Sequence, residues 1–466
     1  MAGILSYGAY VPFWRLQRGA IAQALGTAPG RGTRAVASFD EDTTSMGVEA
    51  ARAALSGFRG EARAALFATA DPPYLDKTNA TAVAAACGLG TDVRAFDMAG
   101  AVRSGIGALL AGLEGSGPSL VVMSDVRTGL PGGGDERDGG DAAAAFVCGD
   151  GPGIAELVAT TSATAEFLER WRAPGEPASR QWEERFGEHV YVPLAERAVK
   201  EALAVVGVGS ADIVHLVVTG PPARAVRRVA ASIGARQEAV VDDLTAAVGQ
   251  SGTAHPGLLL ASALDRAAPN EVIVVVSLAD GCDVLVFRTT TAIADFRPRA
   301  SVADLVASGR DDLPYASFLT WRGFLRREPP RRPDPVGPAA PPASRAEEWK
   351  YAFVGSRCTA CGARHLPPQR VCVKCQATDE MVPEPLADVP ATVATFTVDR
   401  LAYSLSPPVV AAVIDFDGGG RFQCELTDVD PESVAIGDRV EMTFRRLFTA
   451  AGVHNYFWKA RPIRGS

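Results

Sequence analysis

Long apolar runs are missing from this sequence, and their absence argues against a membrane-spanning helix. Such a helix needs about 20 consecutive apolar residues, whereas aliphatic segments such as residues 272–278 have only the length of a strand. The N-terminal residues also lack a basic start, an apolar stretch and a small-residue cleavage site, so we do not expect them to be a secretory signal. We therefore expect a cytoplasmic protein without membrane contact.

A basic excess is missing as well, and this argues against nucleic-acid binding. The net charge is -8, whereas a protein that neutralises phosphates needs a basic surface or a basic stripe. The densest basic cluster lies among prolines, which makes it resemble a solvated linker; it consists of Arg322, Arg326, Arg327, Arg331 and Arg332. We expect no nucleic-acid partner.

A phosphate-binding loop is also absent from the glycine-rich segment 131–140. This segment has no lysine–serine ending and does not follow phosphate-loop spacing. We interpret it as a flexible loop near the entrance of an active site.

The first 325 residues alternate helix and strand signals. Hydrophobic residues make up 47% of the chain and charged residues 21%, which is ordinary for a globular protein. Asp42 can cap a helix that carries apolar residues at Met46, Ala50, Ala54 and Phe58. Continuous aliphatic runs at residues 120–123, 213–218 and 272–276 indicate strands buried on both faces. Together these signals predict a layered α/β architecture.

Residues 326–344 are predicted to be a linker because prolines crowd them. Proline removes a backbone donor and biases the preceding residue towards extended conformations, so we expect no helix or central strand in 328–344. The predicted domains are therefore 1–325, the linker 326–344, a helix and cysteine-rich module at 345–383, and a strand-rich domain at 384–466.

The strand-rich segment carries five strand signals and a glycine turn at 418–420. The predicted strands lie at residues 391–398, 409–416, 421–426, 439–444 and 455–460. Five short strands in about 80 residues predict a small barrel.

Four of the eight cysteines form two CxxC pairs separated by ten residues: Cys358, Cys361, Cys372 and Cys375. Two such turns supply the four thiolates of a tetrahedral zinc site, and the metal also supplies folding energy to a segment too short to build its own core. We expect a closed, structural zinc site rather than four unligated core cysteines or a redox pair. His365 lies nearby but is surplus to a four-thiolate shell.

The C-terminal motifs resemble a known family. The motifs are residues 357–362, Pro367–Pro368, the second CxxC pair, and residues 394–398, 409–416, 428–433 and 436–440. They are similar to those of the zinc-ribbon/OB-fold proteins associated with acyl-CoA enzymes. The resemblance implies a rubredoxin-like zinc ribbon, a small OB-fold β-barrel and a thiolase-like partner. An OB-fold alone could instead indicate binding of single-stranded nucleic acid, which the acidity of the chain disfavours.

The N-terminal motifs resemble hydroxymethylglutaryl-CoA synthases, especially the short prokaryotic type. The matching segments are residues 8–12, 41–43, 48–55, 104–105, 185–186, 248–252, 315–316, 319 and 321–323. The resemblance implies a thiolase-like fold with α/β/α/β/α layers, a CoA thioester as substrate, and a homodimer.

The family's reaction uses a cysteine nucleophile at a helix start, a glutamate base and a histidine. Aligned through Ser104 and Gly105, the cysteine position falls on Val102, which cannot form a thioester. The glutamate position falls near Ala70, and the histidine position falls within residues 219–222. All three expected groups are missing.

Four other residues remain candidates for catalysis. His255 lies in an Ala-His-Pro-Gly run similar to a thiolase element and could polarise a thioester or move a proton, or it could only hydrogen-bond locally. Cys282, in a turn after a buried strand, could reach the site or be a packed thiol. Asp71 and Tyr74, which follow an earlier strand, could replace the missing base or be plain loop residues.

Three functions remain open. The first is carbon–carbon bond formation on an acyl-CoA with an atypical active site. The second is a CoA-ester aldolase or lyase, because retro-aldol cleavage needs a base and an enolate pocket but no nucleophilic cysteine. The third is a non-catalytic acyl-CoA-binding scaffold.

Overall fold

The computed structural model describes residues 2–28, 30–331, 333 and 335–464. Arg332, one of the arginines of the basic cluster, lies outside these residues. The chain folds as two units. The first comprises the described residues within 1–37, 42–83 and 91–315, and the second those within 38–41, 84–90 and 316–466.

The first unit is built around one long sheet. Its strands are β1 (Ala2–Tyr10), β2 (Trp14–Gln17), β3 (Thr33–Val36), β4 (Ala64–Thr69), β5 (Arg94–Ala99), β6 (Ser119–Asp125), β7 (Ala142–Asp150), β8 (Ala155–Thr164), β9 (Arg170–Trp171), β10 (Arg180–Gln181), β11 (Ile213–Thr219), β12 (Val272–Leu278) and β13 (Gly281–Thr289). Its helices are α1 (Arg18–Leu25), α2 (Thr43–Ser56), α3 (Ala80–Ala86), α4 (Ser104–Glu114), α5 (Gly134–Asp138), α6 (Glu184–Val206), α7 (Ala223–Ser232), α8 (His255–Leu264) and α9 (Val302–Ala307).

The sheet has nine strands in the order β11-β12-β13-β8-β1-β7-β6-β4-β5. Its two halves meet at β1 and β8, which pair through Gly3–Glu156 and Ile4–Ala155. Helices α4 and α8 pack between the halves, α2 covers β1, β7 and β6, and α6 and α7 cover the other half. This arrangement has the predicted α/β/α/β/α layers.

The sequence signals explain these elements. The fully buried strands β6 and β12 contain the aliphatic runs expected of strands between two helical layers. Asp42 caps α2, because its carboxylate accepts a hydrogen bond from Ser45 N while the Ser45 hydroxyl accepts one from Asp42 N.

The second unit contains short helices, a three-stranded sheet and a closed barrel. Its helices are α10 (Tyr315–Trp321, whose first residue ends the first unit), α11 (Ala340–Arg345) and α12 (Glu347–Lys350). Its strands are β14 (Val354–Cys358), β15 (Arg364–His365), β16 (Met381–Pro385), β17 (Ala391–Asp399), β18 (Val409–Phe416), β19 (Arg421–Leu426), β20 (Arg439–Ala450) and β21 (Val453–Pro462). The barrel order is β17-β18-β19-β21-β20, as the five strand signals predict.

The absence of helix in the proline-rich segment was a wrong prediction. Helix α11 begins within that segment and has Pro341 in its first turn. Proline is tolerated there because the first backbone N–H groups of a helix have no intrahelical acceptor and the fixed φ of proline suits helix entry. None of the described helices has the length and apolarity that crossing a bilayer requires.

The second unit contains a buried network of charges around Asp40. This carboxylate is fully buried and lies 3.0 Å from Lys459 Nζ and 3.5 Å from Arg445 Nη1. Arg445 also contacts Glu41 and Asp428, each at 2.6 Å. Burial tends to raise the pKa of Asp40, but Lys459 and Arg445 outweigh it and lower the pKa to about 2. Residues 38–41 are therefore bound to the barrel by paired charges that are costly to separate.

Candidate functional site

Two adjoining cavities lie in the first unit, where several strands end and two helices begin. The larger cavity, of about 520 Å³, is lined by residues that include Thr219, Gln250 and His255. The smaller pocket, of about 100 Å³, is lined by residues that include Val102 and Asp280. Both are lined by Arg127, Arg170 and Pro221. Crevices at the carboxyl ends of strands are the usual ligand sites of α/β sheets.

Val102 lies in the smaller pocket, two residues before the first residue of α4. Ala70, at the position expected for the glutamate base, lines the same pocket. The structure thus brings together Val102 and Ala70, the positions to which the resemblance aligns the cysteine and the glutamate, on the wall of one pocket.

Arg103 holds the start of α4 against the turn between β12 and β13. Its guanidinium forms a bidentate pair with Asp283, at 2.8 and 2.9 Å, and donates to the Asp280 carbonyl at 2.9 Å. Such forked contacts fix orientation as well as distance. The clamp keeps Val102 and Asp280 on the wall of one pocket.

Asp280 is a candidate base that the sequence argument did not identify. It lies in the turn between two strands with a positive φ of 48°, and its amide donates to the Tyr191 hydroxyl at 3.1 Å. Burial raises the pKa of its carboxyl, and Arg103 opposes this only partly. A carboxyl shifted in this direction within a cavity is typical of acid–base sites. The sequence does contain one signal for this position, because the Asp280–Gly281 pair follows a buried strand and is typical of a turn.

His255 begins α8 and lines the larger cavity, and its ring has local hydrogen-bond partners. Ser251 N lies 3.3 Å from Nδ1 and donates to it, while the ring also hydrogen-bonds the Asp243 backbone. Nδ1 is therefore an acceptor, which places the proton of the neutral ring on Nε2. Burial lowers the pKa to about 4 despite the opposing influence of Asp243. The imidazole is neutral at pH 7.

In contrast to His255, two polar side chains of the larger cavity each have a buried atom without a hydrogen-bond partner among the described residues. Among the described residues, neither the Thr219 hydroxyl nor the Gln250 amide nitrogen has a hydrogen-bond partner, although both atoms are buried. Buried orphan donors are costly unless a ligand or water satisfies them. Thr219 is also the first residue of the segment to which the family's histidine aligns.

The remaining candidates line neither cavity, as far as the described residues show. Cys282 is fully buried in the core cluster beneath α6, where burial raises the pKa of its thiol to about 12. Asp71 lies 3.3 Å from Arg172 and is 41% exposed. The backbone of Tyr74 bonds the side chain of Asn79. Catalytic roles for all three stay predictions.

The glycine-rich segment forms one wall of the larger cavity, through Gly134, Asp135 and Asp138 among others. It contains α5, and Glu136 anchors it because this buried carboxylate accepts hydrogen bonds from Tyr315 Oη at 2.9 Å and Gly132 N at 2.7 Å.

The four predicted cysteine ligands converge in the second unit. Their sulfur atoms all lie within 4.8 Å of one another, with Cys358–Cys375 at 3.7 Å and Cys361–Cys372 at 3.6 Å. A tetrahedral shell with Zn–S bonds of about 2.3 Å separates its sulfurs by about 3.8 Å, so the arrangement fits zinc. His365 is not part of this cluster and hydrogen-bonds Cys372 instead.

Comparisons with known proteins identify both units. Over 344 residues, 70% of this chain, it is 31% identical to the hydroxymethylglutaryl-CoA synthase of Methanopyrus kandleri, of which it covers 98%. The Archaeoglobus fulgidus enzyme is also 31% identical, over 346 residues, 70% of this chain and 100% of that protein. The chain belongs to the hydroxymethylglutaryl-CoA synthase family. This confirms the resemblance in the N-terminal motifs.

Solved structures support the family fold. A hydroxymethylglutaryl-CoA synthase complexed with CoA matches with a TM-score of 0.59 and 17% identity, covering 68% of this chain and 89% of that one. MvaS in complex with 3-hydroxy-3-methylglutaryl coenzyme A matches with a TM-score of 0.58 and 19% identity, covering 72% and 94%. At these identities the likeness establishes the thiolase-like fold alone.

The C-terminal modules match family models as well. Residues 350–381 match the ChsH2 rubredoxin-like zinc ribbon domain and residues 384–445 the ChsH2 C-terminal OB-fold domain. These matches and the four converging sulfurs confirm the predicted zinc ribbon and OB-fold.

Proposed function

We propose that this chain binds an acyl-CoA in the larger cavity and catalyses carbon–carbon bond formation through an enolate, without an acyl-enzyme. The family relationship supports the substrate class. Two structural neighbours were solved with CoA or a CoA ester. Arg137 and Arg227, which line the larger cavity, could contact the phosphates of CoA.

The observation that carries the proposal is the pairing of Val102 with Asp280 in one pocket. Among the described residues, this pocket offers a carboxylate base but no cysteine thiol. It therefore suits proton abstraction beside a thioester better than acyl transfer to a thiol. The raised pKa of Asp280 improves it as a base near neutral pH.

The proposed mechanism uses three side chains. Asp280 removes a proton from the carbon next to the thioester carbonyl. The Gln250 amide and the Thr219 hydroxyl donate hydrogen bonds to the thioester oxygen as it gains negative charge. The enolate carbon then attacks the carbonyl of a second substrate, and the resulting alkoxide takes up the proton that Asp280 removed, which restores the carboxylate.

A second candidate function is the reverse reaction, the cleavage of a 3-hydroxyacyl-CoA into an acyl-CoA and an aldehyde or ketone. The same observation favours it, because retro-aldol cleavage also requires a base and a stabilised enolate but no cysteine nucleophile. Supplying a 3-hydroxyacyl-CoA and measuring carbonyl release tests this direction.

We further propose that the chain forms a homodimer through the edge of its sheet. β5 is the terminal strand and pairs with β4. It also exposes Phe96, which is 58% accessible. An unpaired strand edge with an exposed aromatic side chain is a template for pairing with a second strand.

Proton exchange tests the proposed function independently of the second substrate. We expect the protein to exchange the methyl protons of acetyl-CoA with D2O, measured by mass spectrometry. Asp280→Asn should slow this exchange by about 10²-fold or more, whereas Asp92→Asn, at an exposed position, should not. Binding of acetyl-CoA without exchange or turnover would instead indicate the non-catalytic scaffold.

A further inference from the structure

Arg127 is a charged side chain that is only 9% exposed and lies where the two cavities meet. Its backbone is fixed on both sides. The amide donates to Asp141 Oδ1 at 2.9 Å, and the carbonyl accepts from Arg34 Nη2 at 2.7 Å. Arg34 and Asp141 are themselves fully buried and 3.3 Å apart. The backbone of Arg127 is therefore held in a fixed position by this buried ion pair.

Two glycines fix the direction of the Arg127 side chain. A Cβ atom added at Gly139 would lie 3.0 Å from Arg127 Cβ, and one added at Gly252 would lie 2.8 Å from Arg127 Cδ. Gly252 also has a φ of +53°, which favours glycine. The methylene stem thus runs through a space that only glycines leave open, so little rotamer freedom remains to be lost on binding.

The guanidinium of Arg127 is nearly unused by the protein. Within the described residues, its one hydrogen bond or ion pair joins Nη1 to Asp125 Oδ2 at 3.4 Å. The two other arginines of the smaller pocket are engaged: Arg170 forms a bidentate pair with Asp135, and Arg172 contacts Asp71 and the Ala70 carbonyl. Arg127 therefore keeps free N–H donors at the cavity wall.

We propose that Arg127 binds a carboxylate on the acyl group, so that the preferred substrates are acyl-CoA esters carrying a free carboxyl group. This inference rests on the proposed CoA-ester site. Arg127 shares the smaller pocket with Val102, where the reacting carbon is expected. The phosphates of CoA are separated from the thioester by the pantetheine arm, so a guanidinium here meets the acyl end. A planar carboxylate matches the fork of an arginine.

Two esters of equal chain length test the assignment. Isothermal titration calorimetry should show that glutaryl-CoA binds about 10- to 100-fold more tightly than pentanoyl-CoA, as expected for a charge-assisted hydrogen bond. Arg127→Met should remove this preference and leave pentanoyl-CoA affinity unchanged. The control Arg197→Met alters an exposed position on α6 and should keep the preference.

The outcomes separate this inference from the proposed function. If the wild-type protein binds both esters equally well, or if Arg127→Met weakens both by the same factor, the carboxylate assignment is overturned while the CoA-ester site stands. If neither ester binds, the proposed function itself is wrong. Should Arg127→Met fail to fold, the comparison of the two esters on the wild-type protein decides alone.

Discussion

Arg127 Nη1 lies 3.4 Å from Asp125 Oδ2 at the end of β6, and the same carboxylate oxygen accepts a hydrogen bond from Thr253 N at 3.0 Å. Asp125 therefore links the arginine to the turn that leads into α8. Its other oxygen is buried without a hydrogen-bond partner among the described residues. Burial raises the pKa of Asp125. Arg127 and the hydrogen bond from the Thr253 amide lower the pKa, but by less than burial raises it.

The raised pKa predicts how Asp125→Asn affects stability. Because the folded protein disfavours the ionised carboxyl relative to the unfolded chain, a neutral amide of the same shape removes a cost that is present at pH 7. We expect the free energy of unfolding, measured by urea denaturation, to rise or to stay within about 1 kcal/mol. A loss of several kcal/mol would contradict this account of Asp125.

Asp40→Asn should have the opposite effect. Its folded pKa of about 2 lies below the ordinary value of 3.8, so the ionised form contributes stability that is present above pH 3.8 and lost as the pH falls towards 2. We expect the variant to lose roughly 2–5 kcal/mol of unfolding free energy at pH 7, because the buried cations of Lys459 and Arg445 each lose one of their carboxylate partners. The difference from wild type should shrink below pH 4, and a constant difference would argue against the charge network.

Metal analysis should find one zinc per chain. Cys358→Ser removes one of four thiolates and should release the metal and destabilise the ribbon, whereas Cys87→Ser, outside the cluster, should keep it. Elemental analysis of the purified variants makes the comparison. Full zinc content in Cys358→Ser would refute the four-cysteine site.

The pH dependence of proton exchange distinguishes Asp280 from His255. The exchange rate should rise with pH through the raised pKa of Asp280 and then level off, and Asp280→Asn should abolish the rise. His255 is already neutral above a pKa of about 4, so it should add no inflection near pH 6.5. An inflection near pH 6.5 that disappears in His255→Asn would assign the base to the histidine instead.

The proposed dimer depends on the β5 edge. Phe96→Asp should shift the protein to monomer in light scattering, because a buried unpaired charge is costly. Val205→Asp, on α6 where Val205 is 71% exposed, is the matched control and should remain dimeric. A wild-type monomer, or a dimeric Phe96→Asp variant, would exclude this edge as the interface.

The sequence predicted the layers and the barrel because buried aliphatic runs and two CxxC turns are local signals. It did not predict that Asp280 and Arg127 line a common pocket. The walls of that pocket come from strand ends and helix starts that are far apart in the chain. Cys282 illustrates the difference. The Cys282 thiol, on β13, packs into the core beneath α6, whereas Asp280 lies in the preceding turn, has a positive φ and lines the pocket.

Mixing the wild-type protein with radiolabelled acetyl-CoA and counting the acid-precipitated protein tests the central claim most directly. With valine at position 102 and the Cys282 thiol buried, we predict no acid-stable label on the protein while methyl-proton exchange proceeds. An acetyl group retained on the protein, and mapped by peptide mass spectrometry to Cys282 or any other side chain, would contradict a mechanism without an acyl-enzyme.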